Sequence, residues 1–169
     1  MPEISFRVYG DPKPQLRPRA FVRQTADGPV ARVYTPGTAE EWKSLVAGAA
    51  MPHLPPDPIN SPIDLQLAFY FERPQRLQRK RDPEGRIPSV GPRNDCDNIA
   101  KAVMDCLTQV RLWVDDGLVW RLVVTKQWVE KFGGRPGLDF WMSWDEDEAA
   151  QRFAPPRRAR VEAAEARPF

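Results

Sequence analysis

"RNDCDNIAKAVMDCL", residues 93–107, carries two periodicities at once. At about 100° per residue, Ile99, Ala100, Val103, Cys106 and Leu107, with Val110 beyond, fall in one arc. Asp97, Lys101, Asp105 and Thr108 fall on the opposite side, so an amphipathic helix is predicted over about 97–110. Asp95 and Asp97 crowd its front. Like charges at that spacing repel, and they need a compensating cation, a solvated surface or a chemical role.

Working upstream, Ile63, Leu65, Leu67, Phe69 and Phe71 alternate over 63–71, the clearest strand in the chain. Between strand and helix, Pro74, Pro83, Pro88 and Pro92 oppose helix formation, which predicts a long loop. "MPHLPPDPINSP" (51–62) is a proline-rich connector, and Trp42, Leu45, Val46, Ala49 and Ala50 predict a helix over about 39–51. Thr38 and Glu41 fit a T-x-x-E capping box at its start. "EISFRVY" (3–9) predicts a strand, as does "VARVYT" (30–35), paired back through a turn at "ADG" (26–28).

Downstream, Asp115-Asp116-Gly117 reads as a turn, followed by a strand over about 118–129. Both faces of that strand are largely apolar through Val124, which predicts a central strand covered on both sides. Gly133-Gly134 suggests a hairpin turn into a last strand at about 137–144. This order predicts an α+β fold, a small mixed β-sheet with two principal helices packed on it. Residues 1–144 then form one domain, and 145–169, polar and rich in Ala, Arg and Glu, a mobile tail.

With 169 residues and 41% hydrophobic content the chain can bury a real core. Cys96 and Cys106 lack metal or redox spacing, which points to a reducing compartment. No apolar run approaches a membrane span, so a cytoplasmic, soluble protein is expected. His53 is the one histidine and sits in the proline-rich connector as a surface residue, which excludes zinc and His-Asn-His nuclease sites within this chain. No phosphate-binding G-x-x-x-x-G-K motif occurs, which argues against a nucleotide-driven motor. Trp113, Trp120, Trp128, Trp141 and Trp144 are candidates for the core or a dimer interface.

The net charge of +2 conceals a basic segment. Arg73, Arg76, Arg79, Lys80, Arg81, Arg86 and Arg93 face only Asp82 and Glu84 over residues 73–93, a footprint that suits a polyanion. Arg17 and Arg19, in an extended proline context, are further candidates for phosphate contact.

If Asp95, Asp97, Asp115 and Asp116 converge, a hard divalent cation is the natural neutraliser, because Mg²⁺ takes a few carboxylates plus substrate phosphates. Such a site suits metal-assisted phosphodiester hydrolysis, with Lys101 adding positive charge beside the transition state. Simpler readings stand beside this one. Asp95 or Asp97 could merely cap a helix, Asp115-Asp116-Gly117 could be only a turn, and Lys101 could pair with Asp97 and Asp105 at about 0.3–0.5 kcal/mol each.

"NDCDNIAKAVMDCL", "LWVDDGLV" and "VVTKQW", with "GDPKPQLRPRA" and "VYTPGTAEEWKSLV" upstream, resemble the RusA family of Holliday-junction resolvases of bacteria and their phages and prophages. The shared pattern is D-x-D-N-x-x-K-x-x-x-D-x-L, then D-D, then a strand closing in lysine, and the likeness spans roughly residues 4–142. The resemblance implies a homodimeric, Mg²⁺-dependent endonuclease, with Mn²⁺ as a substitute, that cuts four-way or otherwise branched DNA in recombination and repair and leaves 5′-phosphate ends. It implies Asp95, Asp97 and Asp116 as essential acids, Lys101 as essential lysine, and Asp115 as a helper in the metal site. Lys126 matches the strand-closing lysine and joins Arg17, Arg19, Arg73, Arg76, Arg79, Lys80, Arg81 and Arg93 as DNA-contact candidates. Cys96 departs from the larger aliphatic residue familiar between the paired acids, the basic loop is longer and richer in proline, and the tail has no counterpart. A binding protein on the same scaffold without turnover, or a metal-dependent nucleotide phosphohydrolase, are the competing functions.

Overall fold

The structure is a computed structural model, and it describes residues 1–15, 19–25, 28–34, 39–91 and 95–145. Five strands form a mixed sheet: β1 (Glu3–Tyr9), β4 (Ile63–Phe71), β5 (Ile87–Pro88), β6 (Val119–Trp128) and β7 (Gly137–Trp144). Their order is β1-β7-β4-β6-β5, and β2 (Arg19–Thr25) pairs with β3 (Gly28–Tyr34) as a separate ribbon. Helices α1 (Glu40–Ala50) and α2 (Cys96–Gln109) complete the α+β fold that the periodicities predict.

Strand β4 organises the sheet. Its alternating side chains Ile63, Leu65, Leu67, Phe69 and Phe71 are all buried. Each such burial contributes roughly 1.5–3 kcal/mol. They form one core with Val8 of β1, Leu138, Phe140 and Met142 of β7, Trp42 and Val46 of α1, and Ile99, Val103 and Leu107 of α2. Both helices therefore lie over one face of the sheet. The other face carries the alternate residues, including Arg7, Asp139, Ala68 and Thr125, aligned across four strands.

β4 and β6 run parallel, and parallel neighbours need a crossover. Here it consists of the basic loop, β5 and α2. Within it α2 closes against the chain that follows: Leu112 N–H donates to Leu107 O at 3.0 Å, and Ile59 bridges to Trp113.

Two expectations are corrected. β6 and β7 do not form a hairpin, because β4 lies between them and pairs with both. Their connection passes the end of β4, with Gly133 in the left-handed region at φ 69°. Nor is β6 covered on both sides. Its outer neighbour β5 pairs only at Gln127 and Trp128, and Trp120 and Leu122 are 69% and 42% exposed. Helix α1 has Ala39 at its N-cap, which offers no side-chain acceptor. Thr38, the 26–27 part of the expected turn, Arg17, Arg93 and all of 146–169 lie outside the described residues. No described helix is long and apolar enough to cross a membrane.

Candidate active site

Helix α2 is anchored at its first turn from two directions. Ile99 N–H donates to Asp95 O at 3.1 Å, and Gln15 N–H donates to Asn98 O at 3.0 Å. The second bond brings the proline-rich segment that leads to Arg17 against the acidic end of the helix. Arg19 begins β2, and its side chain lies outside the described residues.

Between α2 and the helix-side face of β6 lies a cavity of about 430 Å³, lined by Cys96, Asp97, Ala100, Lys101, Met104, Asp116, Leu122 and Val124. Its position follows from periodicity. Residues 97, 100, 101 and 104 run along the seam between the helix's apolar arc and its polar side. Leu122 and Val124 stand beside Leu65 and Leu67 in the register, so they face the helix as well. Strand spacing of two puts Lys126 in the same row. Lys126 lies next to Phe69, and its carbonyl accepts from Ser89 N–H at 3.0 Å.

Of the four acids expected to share one pocket, Asp97 and Asp116 line the cavity, while Asp95 and Asp115 do not. Asp115 caps the single 3-10 turn Asp116–Leu118, its carboxylate accepting from Gly117 N–H at 2.8 Å. That hydrogen bond satisfies the acid locally, as the simpler turn reading predicts. Asp95 occupies the N-cap of α2 and is exposed, yet its carboxylate makes no capping hydrogen bond. Among the described residues, no group of three or more His, Cys, Asp and Glu side chains is placed to hold a metal. Lys101 reaches the Asp105 carboxylate at 3.7 Å, the i,i+4 pair expected on this face. Being 61% exposed, Lys101 is held only loosely by it.

A divalent cation suits this donor set. Two carboxylates lining one cavity suit a hard ion that otherwise keeps waters and takes phosphate oxygens. Asp97 and Asp116 would hold it, with Asp95 nearby along the chain.

The basic loop divides into two parts. Arg76, Arg79, Lys80 and Arg81 are exposed. Arg73, expected among the DNA contacts, is 3% exposed and serves the loop instead. Its guanidinium donates to Val129 O (3.1 Å), Pro83 O (2.6 Å), Gly85 O (2.5 Å) and Leu77 O (3.4 Å). A planar fork of donors is the group that can gather carbonyls from several directions. Lys131 adds a backbone bond to Glu84 O and an ammonium bond to Arg79 O, 2.8 and 2.7 Å. Nothing in the sequence separates Arg73 from its exposed neighbours, because each is one arginine in a charged run. The cavity's apolar members Ala100, Met104, Leu122 and Val124 were also missed, since apolar residues on a helix seam and a strand read as core.

The model of the endodeoxyribonuclease RusA family matches residues 10–138. A protein of Bacillus subtilis strain 168, the uncharacterized YqaN, is 30% identical over 132 residues, covering 76% of this chain and 89% of its own length. The matched stretch contains the acidic end of α2, the Asp115-Asp116 turn and β6, the elements that build the cavity, and on that basis this chain belongs to the RusA family of endodeoxyribonucleases.

Proposed function

We propose that the protein is a Mg²⁺-dependent, structure-selective endonuclease that cuts four-way or related branched DNA during recombination and repair. The observation that carries this reading is the meeting of Asp97 and Lys101 of α2 with Asp116, from the turn before β6, in the lining of one cavity. The exposed loop cations Arg76, Arg79, Lys80 and Arg81 would hold phosphates, with Arg17, Arg19, Arg93 and Lys126 as further contacts. When bound, Mg²⁺ (or Mn²⁺ in its place) neutralises phosphoryl charge and makes a water acidic enough to act as nucleophile.

The chain's own groups do the rest. Asp97 and Asp116 hold the ion, and Asp95 and Asp115 support it from the same two turns. Lys101 sets a positive charge beside the oxygens of the scissile phosphate as the transition state spreads its negative charge. Met104, Leu122 and Val124 give the cavity an apolar wall, which lowers the local polarity and strengthens those attractions. Water adds to phosphorus as the P–O3′ bond breaks, leaving a 5′-phosphate and a 3′-hydroxyl. Paired incision of a junction needs two such sites, hence a homodimer. The outer edge of β6, which β5 covers only at Gln127 and Trp128 and where Trp120 is exposed, is a surface suited to a second copy.

Asp97→Asn tests the reading. Binding to a labelled four-way junction is expected to survive while Mg²⁺-dependent cutting falls by about a hundredfold or more. Undiminished cutting by that variant would refute the assignment.

A further inference from the structure

The sheet face turned away from both helices is not the bland polar surface that an uncovered sheet normally presents. Arginine and tyrosine alternate across it. The Arg86 guanidinium lies 4.3 Å from the centre of the Tyr70 ring, and Arg7 lies 5.1 Å from Tyr70 and 5.2 Å from Tyr9. Arg135 lies 5.8 Å from the centre of the Tyr9 ring. Arg7 is further fixed by Asp139 at 2.8 Å and Arg86 by Glu130 at 2.5 Å, while Arg135 forms no ion pair among the described residues. Tyr70 is buried beneath this ladder, but Tyr9 is 56% exposed.

Beside the ladder runs a groove of about 210 Å³ across β7, β4 and β6, lined by Gln66, Ala68, Val123, Thr125, Asp139 and Trp141 among others. Its floor is made of small side chains, its flank is an indole, and its remaining walls are polar. Trp141 is held by its ring N–H to Glu3 at 3.3 Å. On the face itself Arg7, Arg86, Arg121 and Arg135 are matched by Glu3, Asp64, Glu130 and Asp139. The excess of cations comes from the adjoining loop, where Arg79, Lys80 and Arg81 stand against Asp82 and Glu84.

We propose that this open face is a second nucleic-acid site, one that takes a single-stranded segment. Bases stack on Tyr9 and Trp141, and phosphates meet Arg7, Arg86 and Arg135. The chemistry of the ligand follows from what the face offers. Aromatic faces on an open sheet, interleaved with cations, bind unpaired bases, whose rings are accessible only when they are not stacked in a duplex. Asp139 and Glu130 hold Arg7 and Arg86 in place over the rings, and Arg135, with no ion pair among the described residues, offers its N–H groups to phosphate oxygens. The site lies on the opposite face of the sheet from the cavity and does not depend on the nuclease reading.

The test uses the full chain without Mg²⁺ and a fluorescein-labelled oligothymidylate read by anisotropy, with a blunt duplex as comparison. The parent protein is expected to prefer the single strand. Tyr9→Ala and Arg135→Glu should each weaken that binding about tenfold, and Tyr9→Phe should restore it. Junction cutting with Mg²⁺ should be unchanged in Tyr9→Ala, and Asp97→Asn should bind the oligonucleotide like the parent, so this proposal and the nuclease reading fail separately. An iodouracil-substituted strand should crosslink to peptides containing Tyr9 or Trp141. No single-strand binding by the parent would overturn the proposal. So would unchanged binding in both variants, crosslinks confined to α2 or residues 76–81, or a Tyr9→Ala defect that tracks a change from dimer to monomer.

Discussion

Cys96 and Cys106 lie on one helix and meet opposite surroundings. Cys106 is buried, its thiol donates to Lys43 O at 3.2 Å, and burial pushes its pKa up despite the nearby Lys43 charge. Such a thiol is inert, because the thiolate is the reactive form. Cys96 is half-exposed and lines the cavity beside Asp97. A small maleimide should therefore label Cys96 alone in the native protein and suppress cutting, and Cys96→Val should be both unlabelled and resistant; peptide mass mapping with a junction assay checks this. Tyr70 offers a second outcome at the same scale. Burial first, and then its hydrogen bond to Asp139, raises its pKa above the ordinary 10.0. The stability this contributes is complete below that ordinary value and is lost as the pH climbs through the raised one. Tyr70→Phe should lose about 1 kcal/mol at neutral pH and show a flatter alkaline decline, read as urea midpoints from about pH 8 to 11. Single residues were partly legible in the sequence. The seam of α2 and a turn rich in acids marked Asp97, Lys101 and Asp116. Which of two adjacent aspartates faces inward is settled by a local turn hydrogen bond, and the spacing alone carries no sign of it.

At the scale of elements, the loop between β4 and α2 has almost no apolar anchor, and its shape depends on the carbonyls gathered by Arg73. Removing that side chain leaves the buried Val129 carbonyl without its donor and releases three part-buried carbonyls. Arg73→Ala should cost on the order of 3 kcal/mol and expose residues 75–85 to protease, while Arg73→Lys should recover only part, since one ammonium cannot span the same carbonyls. Denaturant titration and limited proteolysis measure both. Elements themselves were well marked wherever one face is buried: the alternation of β4 and the 3.6-residue period of α2 leave little choice. The sequence misled at β6. Apolar residues on both faces usually mean a covered strand, but here Leu122 and Val124 border a cavity and Trp120 stands in a register irregularity opposite Ile63 and Asp64.

For the whole molecule, strand order was the part least written in the chain. Two apolar strands joined by a glycine turn favour a hairpin, and only the insertion of β4 between them excludes it. Pairing partners that far apart leave no local signature. The family match ends at residue 138 and the last described strand at Trp144, so a chain ending at Asp145 should keep its melting temperature within a few degrees and still cut junctions. Calorimetry and the cleavage assay on that truncated chain check it. The pairing of β1 with β7, Glu3 opposite Ser143, has a kinetic consequence. During synthesis the first strand leaves the ribosome long before its partner exists, and it must wait with both edges bare until residues 137–144 have emerged. Closing so distant a contact is slow, which makes this interval the period when a nascent chain is most exposed to aggregation or to capture by a chaperone.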